Sequence, residues 1–419
     1  MEIEVSRTDA VVTYDSRGRP TLDIMLVSRD GKVGRYASPS GASVGRYEAP
    51  PFPSGGVLEA RKFVRGEVNR ILSGFRYSSQ DEFDSMIRRI DGTGRYEKLG
   101  SVASLGLSFS AADLASKELD IPIYRWLGGR EKPLYPLPLC NVLGGGKHAL
   151  NRSIDIQEIL AIPLNPESYR DAYQACIELH RMVGRVLAER DHFFNGGRND
   201  EGAWVTTLTD EEAFEAVLEA MDRVRSEIGI KFGLGADLAA SSLWDPENKL
   251  YVYSRSGLYL DREEQIEYVV ELARKYRLMY IEDPLHEDDF PGFSNLVKRM
   301  GGKPLIVGDD LYVTNLSRLK LGLSEKAGNG VIIKPNQVGD VSQALSTARE
   351  ASSNGFGVIV SHRSGETPYP HLAHLALAVE ADLMKVSPIY GERVIKHNEL
   401  LRMEDLYGTS GLKRLRWGY

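Results

Sequence analysis

The sequence predicts an α/β protein whose larger, C-terminal part is a β/α barrel, preceded by a smaller N-terminal α+β capping domain. The main observation is a series of six short apolar runs that each end at a charged residue. Successive runs lie about 25 to 45 residues apart, which leaves room for a strand, a helix and two loops. Apolar runs of this length are typical of strands buried on both faces of a parallel sheet. The charged residues at their ends are Asp237, Glu282, Asp309, Lys334, His362 and Lys385.

The length of the chain supports a second domain. The chain has 419 residues, whereas a barrel of this class typically needs about 250. The segment 122–138 is rich in Pro and Gly and is the best candidate for a domain boundary. We therefore predict the capping domain over residues 1–132 and the barrel domain over residues 133–419.

The N-terminal region begins with strands and continues with helices. Alternating runs separated by an SRGRP turn and an RDG turn predict strands up to about residue 50. The Gly-, Ser- and Pro-rich segment 39–56 has the composition of a solvated linker. Residues 57–72 have helical spacing, and Ser79 with Glu82 forms a capping box before a second helix. The segment 101–120 is dense in Ala, Ser and Gly, which favours a helix packed closely against another helix.

The barrel region begins with two apolar runs around a Gly-rich loop. A long amphipathic helix over 165–190 and a polar loop over 192–204 follow these runs. Two further helices have capping boxes, and the GLGAD run that ends at Asp237 lies between them. The capping pairs are Thr209 with Glu212 and Asp261 with Glu264.

Composition narrows the class of protein. The net charge of −7 and pI near 5.8 argue against binding to nucleic acid or to an anionic membrane. The two cysteines, Cys140 and Cys176, imply no disulfide framework and favour a reducing cytoplasm. The sequence shows neither a signal region nor an apolar stretch long enough to span a bilayer. We expect a soluble, cytoplasmic enzyme.

Three of the strand-end residues are carboxylates: Asp237, Glu282 and Asp309. Carboxylate oxygens are hard ligands of the kind that Mg²⁺ prefers. An acidic residue after a strand is, taken singly, more often a helix N-cap. Three of them converging on one barrel mouth favour a metal site, because their like charges need a cation.

The remaining candidates supply acid–base chemistry and anion binding. Lys334 and Lys385 have salt bridges as their default role, but near a metal cation a lysine can lose its proton and act as a general base. His362 and Arg363 can bind a phosphate or carboxylate. Glu158 and Glu201 can form a pair of nearby acids, one of which keeps its proton at neutral pH.

Together these residue types suit removal of a proton next to a carboxylate. The product of that step is a dianion, and two Mg²⁺ ions would stabilise it electrostatically. A Lys or His base with one or two Mg²⁺ ions is the pattern of the enolase superfamily.

The sequence resembles the enolase family over nearly its whole length, from YDSRGRPT to ELLRMED. PSGASVG, IQEIL, GADLAAS, IEDP, GDDLYVTN, KPNQVG and SHRSGET occur in the family's order and with about its spacing. The resemblance implies an enolase-type barrel fold and the Mg²⁺-dependent, reversible dehydration of 2-phosphoglycerate to phosphoenolpyruvate. It also implies a homodimer or an octamer built as a tetramer of dimers, a phospho-acid substrate, and no nucleic-acid or membrane partner.

The resemblance also assigns a role to each matching residue. Asp237, Glu282 and Asp309 would bind metal, and Ser43 would complete the second metal site beside the substrate. Lys334 would remove the C2 proton, while Glu201, with Glu158 beside it, would assist departure of the C3 hydroxyl. The residues that would bind substrate are His148, His362, Arg363, Ser364 and Lys385. The PSGASVG and GGGKHAL loops would then be lids that exclude water rather than linkers.

The chain departs from the family's usual residues near several of these positions. Gly144 stands where the family usually has Asn, and Leu150 where it usually has Gly. Ala203 and Trp204 replace a Gly–Phe pair. Pro368 and Tyr369 replace an acidic pair, and VSPIYGER after Lys385 is one residue shorter than the usual loop. We expect these changes to border the substrate.

Three functional hypotheses follow. The first is the enolase reaction, because every charged catalytic residue of the family is present. The second is an enolase-like paralogue that acts on a different carboxylate or phospho-acid, which the altered pocket borders favour. The third is a non-catalytic scaffold, which the retained cluster of buried charges disfavours, since unpaired buried charges are costly.

Overall fold

The structure is a computed structural model that describes residues 2–41, 45–149 and 153–418, except for the side chain of His148. Ser43 and Leu150 lie outside the described residues. No helix within the described ranges is both long enough and apolar enough to cross a lipid bilayer.

A four-stranded antiparallel sheet forms the first part of the N-terminal domain. The turn between its first two strands closes because the Asp15 carboxylate accepts backbone N–H bonds from Arg17 and Arg19, each at 2.9 Å. The strands are β1 (Ile3–Tyr14), β2 (Pro20–Ser28), β3 (Val33–Ala37) and β4 (Arg76–Tyr77), in the order β3-β2-β1-β4.

The helices of this domain follow the predicted pattern, with one irregularity. The helix predicted over 57–72 contains a π-helical segment, Val64–Val68, between α1 and α2. Ser79 accepts the backbone N–H of Glu82, but the Glu82 carboxylate accepts from Ser78, so the predicted capping box is only half formed. The helices are α1 (Gly56–Phe63), α2 (Asn69–Leu72), α3 (Gln80–Asp91), α4 (Ser101–Leu119) and α5 (Ile123–Trp126).

The small residues of α4 allow this helix to pack closely against the sheet, more than against another helix. A Cβ atom on Gly106 would lie 2.5 Å from Cγ1 of Ile24, and one on Gly34 would lie 2.0 Å from the carbonyl oxygen of Ser110. Glycine is therefore required at both positions, because α4 lies directly on β2 and β3. The sequence predicted the close packing but not the partner.

Eight strands form a closed barrel, in the order β11-β12-β13-β14-β15-β5-β6-β7. Six of them end at, or one residue before, the six charged residues of the predicted series. The strands are β5 (Leu137–Gly144), β6 (Glu158–Pro163), β7 (Phe232–Asp237), β11 (Tyr280–Glu282), β12 (Leu305–Gly308), β13 (Gly330–Ile333), β14 (Gly357–Ser361) and β15 (Leu383–Lys385). A small antiparallel sheet after β7 contains β8 (Trp244–Asp245), β9 (Leu250–Tyr253) and β10 (Leu258–Leu260).

One barrel strand departs from the expected parallel arrangement. β6 is antiparallel to both of its neighbours, β5 and β7. Two helices in succession, α6 (Tyr169–Arg190) and α7 (Asp210–Ile228), then connect β6 to β7. Because β6 is reversed, its first residue lies at the same end of the barrel as the last residues of the other strands.

The outer helices cover the barrel, and apolar side chains fill its interior. The capping boxes predicted at Thr209 and Asp261 are both formed. The remaining helices are α8 (Arg262–Tyr276), α9 (Phe290–Met300), α10 (Leu316–Glu325), α11 (Val341–Ser353), α12 (His371–Ala378) and α13 (Gly391–Tyr407). The interior cluster contains Leu137, Leu139, Leu160, Ile162, Tyr280, Leu305, Val307, Ile332, Ile359 and Leu383.

Aromatic rings join the two domains. Tyr36 of β3 packs against Phe109 of α4, with ring centroids 4.6 Å apart, and against His371 of α12 at 4.7 Å. Tyr369 contacts the same Tyr36 ring at 5.5 Å. The N-terminal domain is thereby packed against the barrel beside the loop that follows β14.

Candidate active site

A cavity of about 530 Å³ opens at the end of the barrel where the strand-end series converges. Glu282 lies beneath its floor and is 1 % exposed. Ser43 and the side chain of His148 lie outside the described part of the chain. The other predicted residues line the cavity: Glu158, Glu201, Asp237, Asp309, Lys334, His362, Arg363, Ser364 and Lys385.

Three carboxylates form one row across neighbouring strands. Asp237 is paired in register with Glu158 on one side and with Glu282 on the other. Residues paired in this way point to the same face of the sheet. Glu158 joins the row only because β6 is reversed, so that its first residue, not its last, is at the cavity.

Lys385 neutralises part of this row. Its Nζ lies 2.9 Å from Oε2 of Glu158, 3.0 Å from Oδ2 of Asp237 and 2.7 Å from Oε2 of Glu282. Burial alone would lower the pKa of Lys385, but the three carboxylates outweigh it and raise that pKa well above its usual value. Lys385 is therefore a charged, internal counter-ion.

Glu282 has the most perturbed environment of the three carboxylates. Burial, together with the charge of Asp237, raises the pKa of Glu282 to about 7, although Lys385 opposes the shift. Its Oε2 accepts a hydrogen bond from the Tyr280 hydroxyl at 2.5 Å. No described residue donates a hydrogen bond to its buried Oε1. A buried carboxylate oxygen without a donor is well suited to a cation.

Lys334 and Asp309 form a second ion pair on adjacent strands. The Lys334 ammonium donates to Oδ2 of Asp309, and Nε2 of Gln337 donates to Oδ1 at 3.0 Å. Burial tends to lower the pKa of Lys334, but the Asp309 charge prevails and raises it. Burial likewise tends to raise the pKa of Asp309, and Lys334 overcomes it to leave that pKa below its usual value. Each residue thus holds the other in its charged form.

The carboxylates offer more than one place for a metal. Oxygens of Asp283, Asp309 and Asp310 lie within 4.8 Å of one another. Asp283, however, accepts the backbone N–H groups of Asp309 and Asp310 at 2.9 and 2.8 Å, so it also shapes the turn after β12. In the predicted trio, Asp237 and Glu282 face Lys385, whereas Asp309 faces Lys334. Asp237 and Asp309 line the cavity and Glu282 lies beneath it. Their carboxylate oxygens are hard donors that fit a divalent cation, although the three residues are not among the described groups whose oxygens all lie within 4.8 Å of one another.

Glu201 lies beside a histidine and an amide. Its Oε2 is 3.3 Å from Nε2 of His362 and accepts from Nδ2 of Asn141 at 3.3 Å. His362 is held from its other side by Nε of Arg393, 3.1 Å from Nδ1. Burial is the main reason that the pKa of His362 falls below its usual value, and Arg393 adds to the effect while Glu201 opposes it.

The loop that carries Glu201 is fixed by Asn199. Oδ1 of Asn199 accepts the backbone N–H groups of Glu201 and Ala203, each at 3.0 Å. The same loop is anchored to α6 by Trp204, whose Nε1 donates to the carbonyl oxygen of His180 at 2.7 Å. The Trp204 ring fills the space that a side chain on Gly184 would occupy.

Arg363 is paired with a carboxylate that the sequence did not single out. Its two terminal nitrogens lie 3.1 and 3.3 Å from the carboxylate oxygens of Glu48, and one of them donates to Oδ1 of Asn336 at 3.2 Å. Glu48 comes from the loop after Gly45, so the N-terminal domain contributes directly to this cavity. Glu48 thereby holds the guanidinium at the cavity wall, where its N–H groups are of the kind that bind a phosphate or carboxylate.

The departures from the family pattern that the structure describes are not among the residues that line the cavity, and whether they border the substrate stays a prediction. Gly144, Ala203, Trp204, Pro368 and Tyr369 do not line the cavity. Ala203 and Trp204 face α6 and the Asn199 loop, as described above. The Tyr369 hydroxyl donates to Asp23 at 2.9 Å, in the domain interface.

The shortened loop after Lys385 also packs behind the site. Ile389 and Tyr390 lie next to Gly202, and the carbonyl oxygen of Pro388 accepts from the Tyr173 hydroxyl at 2.9 Å. Gly144, Ala203, Trp204 and the shortened loop therefore pack around the loop of Glu201, whereas Tyr369 packs in the domain interface.

Sequence reasoning missed several residues of the site. Asp283 and Asp310 adjoin predicted ligands in the IEDP and GDDL motifs, so the motifs themselves carried a usable signal. Glu48 is in the same loop as Ser43. Gln337 likewise lies in the KPNQVG motif, three residues after Lys334. Asn141, Asn199 and Arg393 carried no such signal, because their contacts depend on how distant segments pack.

Known proteins match this chain over both domains. The family model described as "Enolase, N-terminal domain" matches residues 5–127, and the one described as "Enolase, C-terminal TIM barrel domain" matches residues 132–413. The enolase of Pyrobaculum aerophilum is 41% identical over 94% of this chain and 95% of its own length. The enolase of Archaeoglobus fulgidus is 41% identical over 94% and 96%, and that of Thermoplasma acidophilum is 39% identical over 97% and 99%. The chain therefore belongs to the enolase family of carbon–oxygen lyases.

Proposed function

We propose that the protein catalyses the reversible dehydration of 2-phosphoglycerate to phosphoenolpyruvate, with Mg²⁺ as its cofactor. The observation that carries this proposal is the composition of one cavity. It contains a partly buried lysine paired with Asp309, a row of carboxylates in register, and the Glu201–His362 pair. These groups supply the base, the cation site and the acid that the reaction needs.

Lys334 is the proposed base. In the reaction it takes the proton from C2 of the substrate onto Nζ, and the substrate keeps the electron pair. Lys334 must be neutral to do so, whereas the Asp309 charge holds it as an ammonium. A cation held by Asp309 would offset that charge and would favour the neutral form of Lys334.

Asp237, Glu282 and Asp309 are the proposed metal ligands, supported by the fully buried Oε1 of Glu282, to which no described residue donates a hydrogen bond. When bound, Mg²⁺ supplies electrostatic stabilisation of the negative charge that develops on the substrate carboxylate. We assign two ions to each site, with Ser43 completing the second, in line with the family resemblance. Asp309→Asn should weaken Mg²⁺ binding at least about tenfold, since even outer-shell partners commonly contribute 10–100-fold. Calorimetry that finds unchanged Mg²⁺ affinity would refute the ligand assignment.

Glu201 is the proposed acid. Protonated, it gives its proton to the C3 hydroxyl, which leaves as water while the C2 electron pair forms the double bond. Glu158 is close to the same region through the carboxylate row. The proposed substrate contacts are Arg363 and Ser364 at the phosphate, Lys385 at the carboxylate, and His148, His362 and Ser43 around them.

A different phospho-acid is the alternative substrate. The departures from the family pattern are the reason to consider it. Those that the structure describes lie behind the cavity, which supports 2-phosphoglycerate over a substrate of different shape. A non-catalytic scaffold would gain nothing from retaining the buried charges of this site.

Steady-state kinetics test the proposal directly. Purified protein with Mg²⁺ and 2-phosphoglycerate should form phosphoenolpyruvate, followed by its ultraviolet absorbance, at a kcat within the ordinary range of about 1–10³ s⁻¹. Chelation of the metal should abolish the signal, and readdition of Mg²⁺ should restore it. Absence of turnover under saturating substrate and metal would contradict the proposed substrate.

We further propose that the protein works in the cytoplasm as a homodimer or an octamer and acts on a small molecule instead of nucleic acid or a membrane. The family resemblance supports the assembly, and the net charge of −7 supports the absence of a nucleic-acid partner. Light scattering coupled to gel filtration tests the assembly, and a monomeric mass would contradict it.

A further inference from the structure

Arg393 is the largest fully buried side chain of the described residues, and it contacts the site without lining the cavity. It projects from α13 toward the loop after β14. Its Nε donates to Nδ1 of His362 at 3.1 Å, and Nη2 donates to the carbonyl oxygens of Ser364 and Arg363 at 3.0 and 3.3 Å. Nη1 donates to Glu392 at 2.7 Å.

The contact with His362 fixes where the imidazole carries its proton. A guanidinium has only donors and no acceptor. Nδ1 of His362 must therefore present its lone pair to Arg393, which leaves the proton of the neutral ring on Nε2. Nε2 faces Oε2 of Glu201 at 3.3 Å, so its N–H is directed at the proposed acid.

The charges around His362 favour the neutral ring. The charged and titratable groups that face it are Glu201, Arg393, Glu366 and His397. Glu366 is itself paired with Lys396 of α13 at 2.5 Å, which limits its pull on the ring. Arg393 is the cation that the described residues place in direct contact with His362, and a second positive charge on the imidazole would lie against it.

We propose that Arg393 is a positioning residue that keeps His362 neutral with its proton on Nε2, and thereby keeps the proton of Glu201 available for the substrate. A histidine of ordinary basicity beside a protonated glutamate would take that proton, because imidazole is the stronger base. The resulting imidazolium–carboxylate pair could not protonate a leaving hydroxyl. This inference rests on the proposed role of Glu201.

The first test uses the unaltered protein and does not depend on activity. Protein labelled with ¹⁵N at histidine is examined by NMR at pH 7, and the His362 signals are identified by their loss in His362→Gln. Nδ1 should have the shift of an unprotonated, pyridine-type nitrogen and Nε2 that of a protonated, pyrrole-type nitrogen. A protonated Nδ1, whether in the other tautomer or in an imidazolium, overturns the inference.

The second test separates positioning from simple structural support. Arg393→Met should lower kcat about tenfold or more at pH 6.5, with a smaller loss at pH 8.5, because His362 becomes titratable and competes for the proton. KM for 2-phosphoglycerate should change little. Arg393→Lys, which keeps a cation, should recover much of the pH 6.5 activity.

Arg402→Met is the matched control, since Arg402 is a cation on the same helix that pairs with Glu399 and does not contact His362. Its pH profile and its His362 spectrum should match those of the parent protein. An equal loss of kcat at all pH values in Arg393→Met, with an unchanged His362 spectrum, overturns the inference. If that variant does not fold, the spectrum of the parent protein decides. The expected spectrum without turnover of 2-phosphoglycerate refutes the proposed function alone, whereas turnover with a protonated Nδ1 refutes the role of Arg393 alone.

Discussion

Gly144 and Asn199 occupy a space that admits only one side chain. A Cβ atom on Gly144 would lie 2.3 Å from Nδ2 of Asn199 and 3.5 Å from Cβ of Ala203. Asn199 uses that room to bind the backbone of Glu201 and Ala203. The end of β5 and the loop of the proposed acid therefore fit together through a glycine on one side and an asparagine on the other.

This relationship predicts strong coupling between the two positions. Gly144→Ala should displace Asn199. The resulting overpacking should destabilise the protein by about 1–3 kcal/mol. The loss of loop geometry around Glu201 should also lower kcat. The same change in an Asn199→Ala background should be far milder, because the clash is gone. A double-mutant cycle on unfolding free energy should give a coupling of at least about 1 kcal/mol. Additive effects of the two changes would show that the contact does not constrain the loop.

Lys334→Ala should abolish the exchange of the substrate's C2 proton while Mg²⁺ binding stays measurable. The base should contribute about 10²–10⁴-fold to the rate, whereas the carboxylates that hold the metal remain in place. Exchange is measured by NMR in deuterated water, and metal binding by calorimetry. Lys320→Ala, which removes an exposed lysine on α10, is the matched control and should exchange normally. Retained exchange in Lys334→Ala would exclude this residue as the base.

Lys385→Met should destabilise the metal-free protein more than the metal-loaded protein. Without its ammonium, Glu158, Asp237 and Glu282 lose their shared buried counter-ion, and removing one partner of a buried pair typically costs about 3–5 kcal/mol. Saturating Mg²⁺ should recover part of this loss. Thermal unfolding with Mg²⁺ and with a chelator gives both values, and Lys320→Met again serves as the control. A loss that is identical with and without Mg²⁺ would contradict a shared role of the cation and Lys385.

His371→Phe should stabilise the protein selectively at acidic pH. The His371 ring is buried between the domains, and no described residue hydrogen-bonds either ring nitrogen. Burial, reinforced by His374, lowers the pKa of His371 well below 6.5. Below pH 6.5, His371 binds a proton in the unfolded chain but not in the folded chain. The free energy of unfolding therefore decreases as the pH falls.

His371→Phe should therefore raise the free energy of unfolding by about 1.4 kcal/mol more at pH 5.5 than at pH 7.5. Urea unfolding at the two pH values measures this difference. His192→Gln, which removes an exposed histidine, is the control for an effect of histidine content alone. An effect of His371→Phe that is the same at both pH values would mean that the folded protein accepts the proton.

Much of the barrel and half of the site could be predicted because they follow from local patterns. An apolar run that ends in Asp237 or Lys334 predicts both a buried strand and the charged residue at the cavity end of that strand. The direction of β6 could not be predicted, since hydrophobic periodicity is the same for a strand that runs either way. The role of Arg393 could not be predicted either, because its contact with His362 spans 31 residues and arises from how α13 packs on the loop after β14.

The reversed strand β6 has a consequence for how such a site can diversify. Because β5 and β6 form a hairpin, the described parts of the connection between them, 145–149 and 153–157, lie at the cavity end of the barrel, and Lys147 and Gln157 line the cavity. Every other mouth segment continues into a helix or a second sheet that must keep its own packing. We therefore expect substitutions at Lys147 and Gln157 to change the cavity lining while the outer helices keep their packing, whereas Ile154 and Ile156 of the same connection are buried in the hydrophobic core.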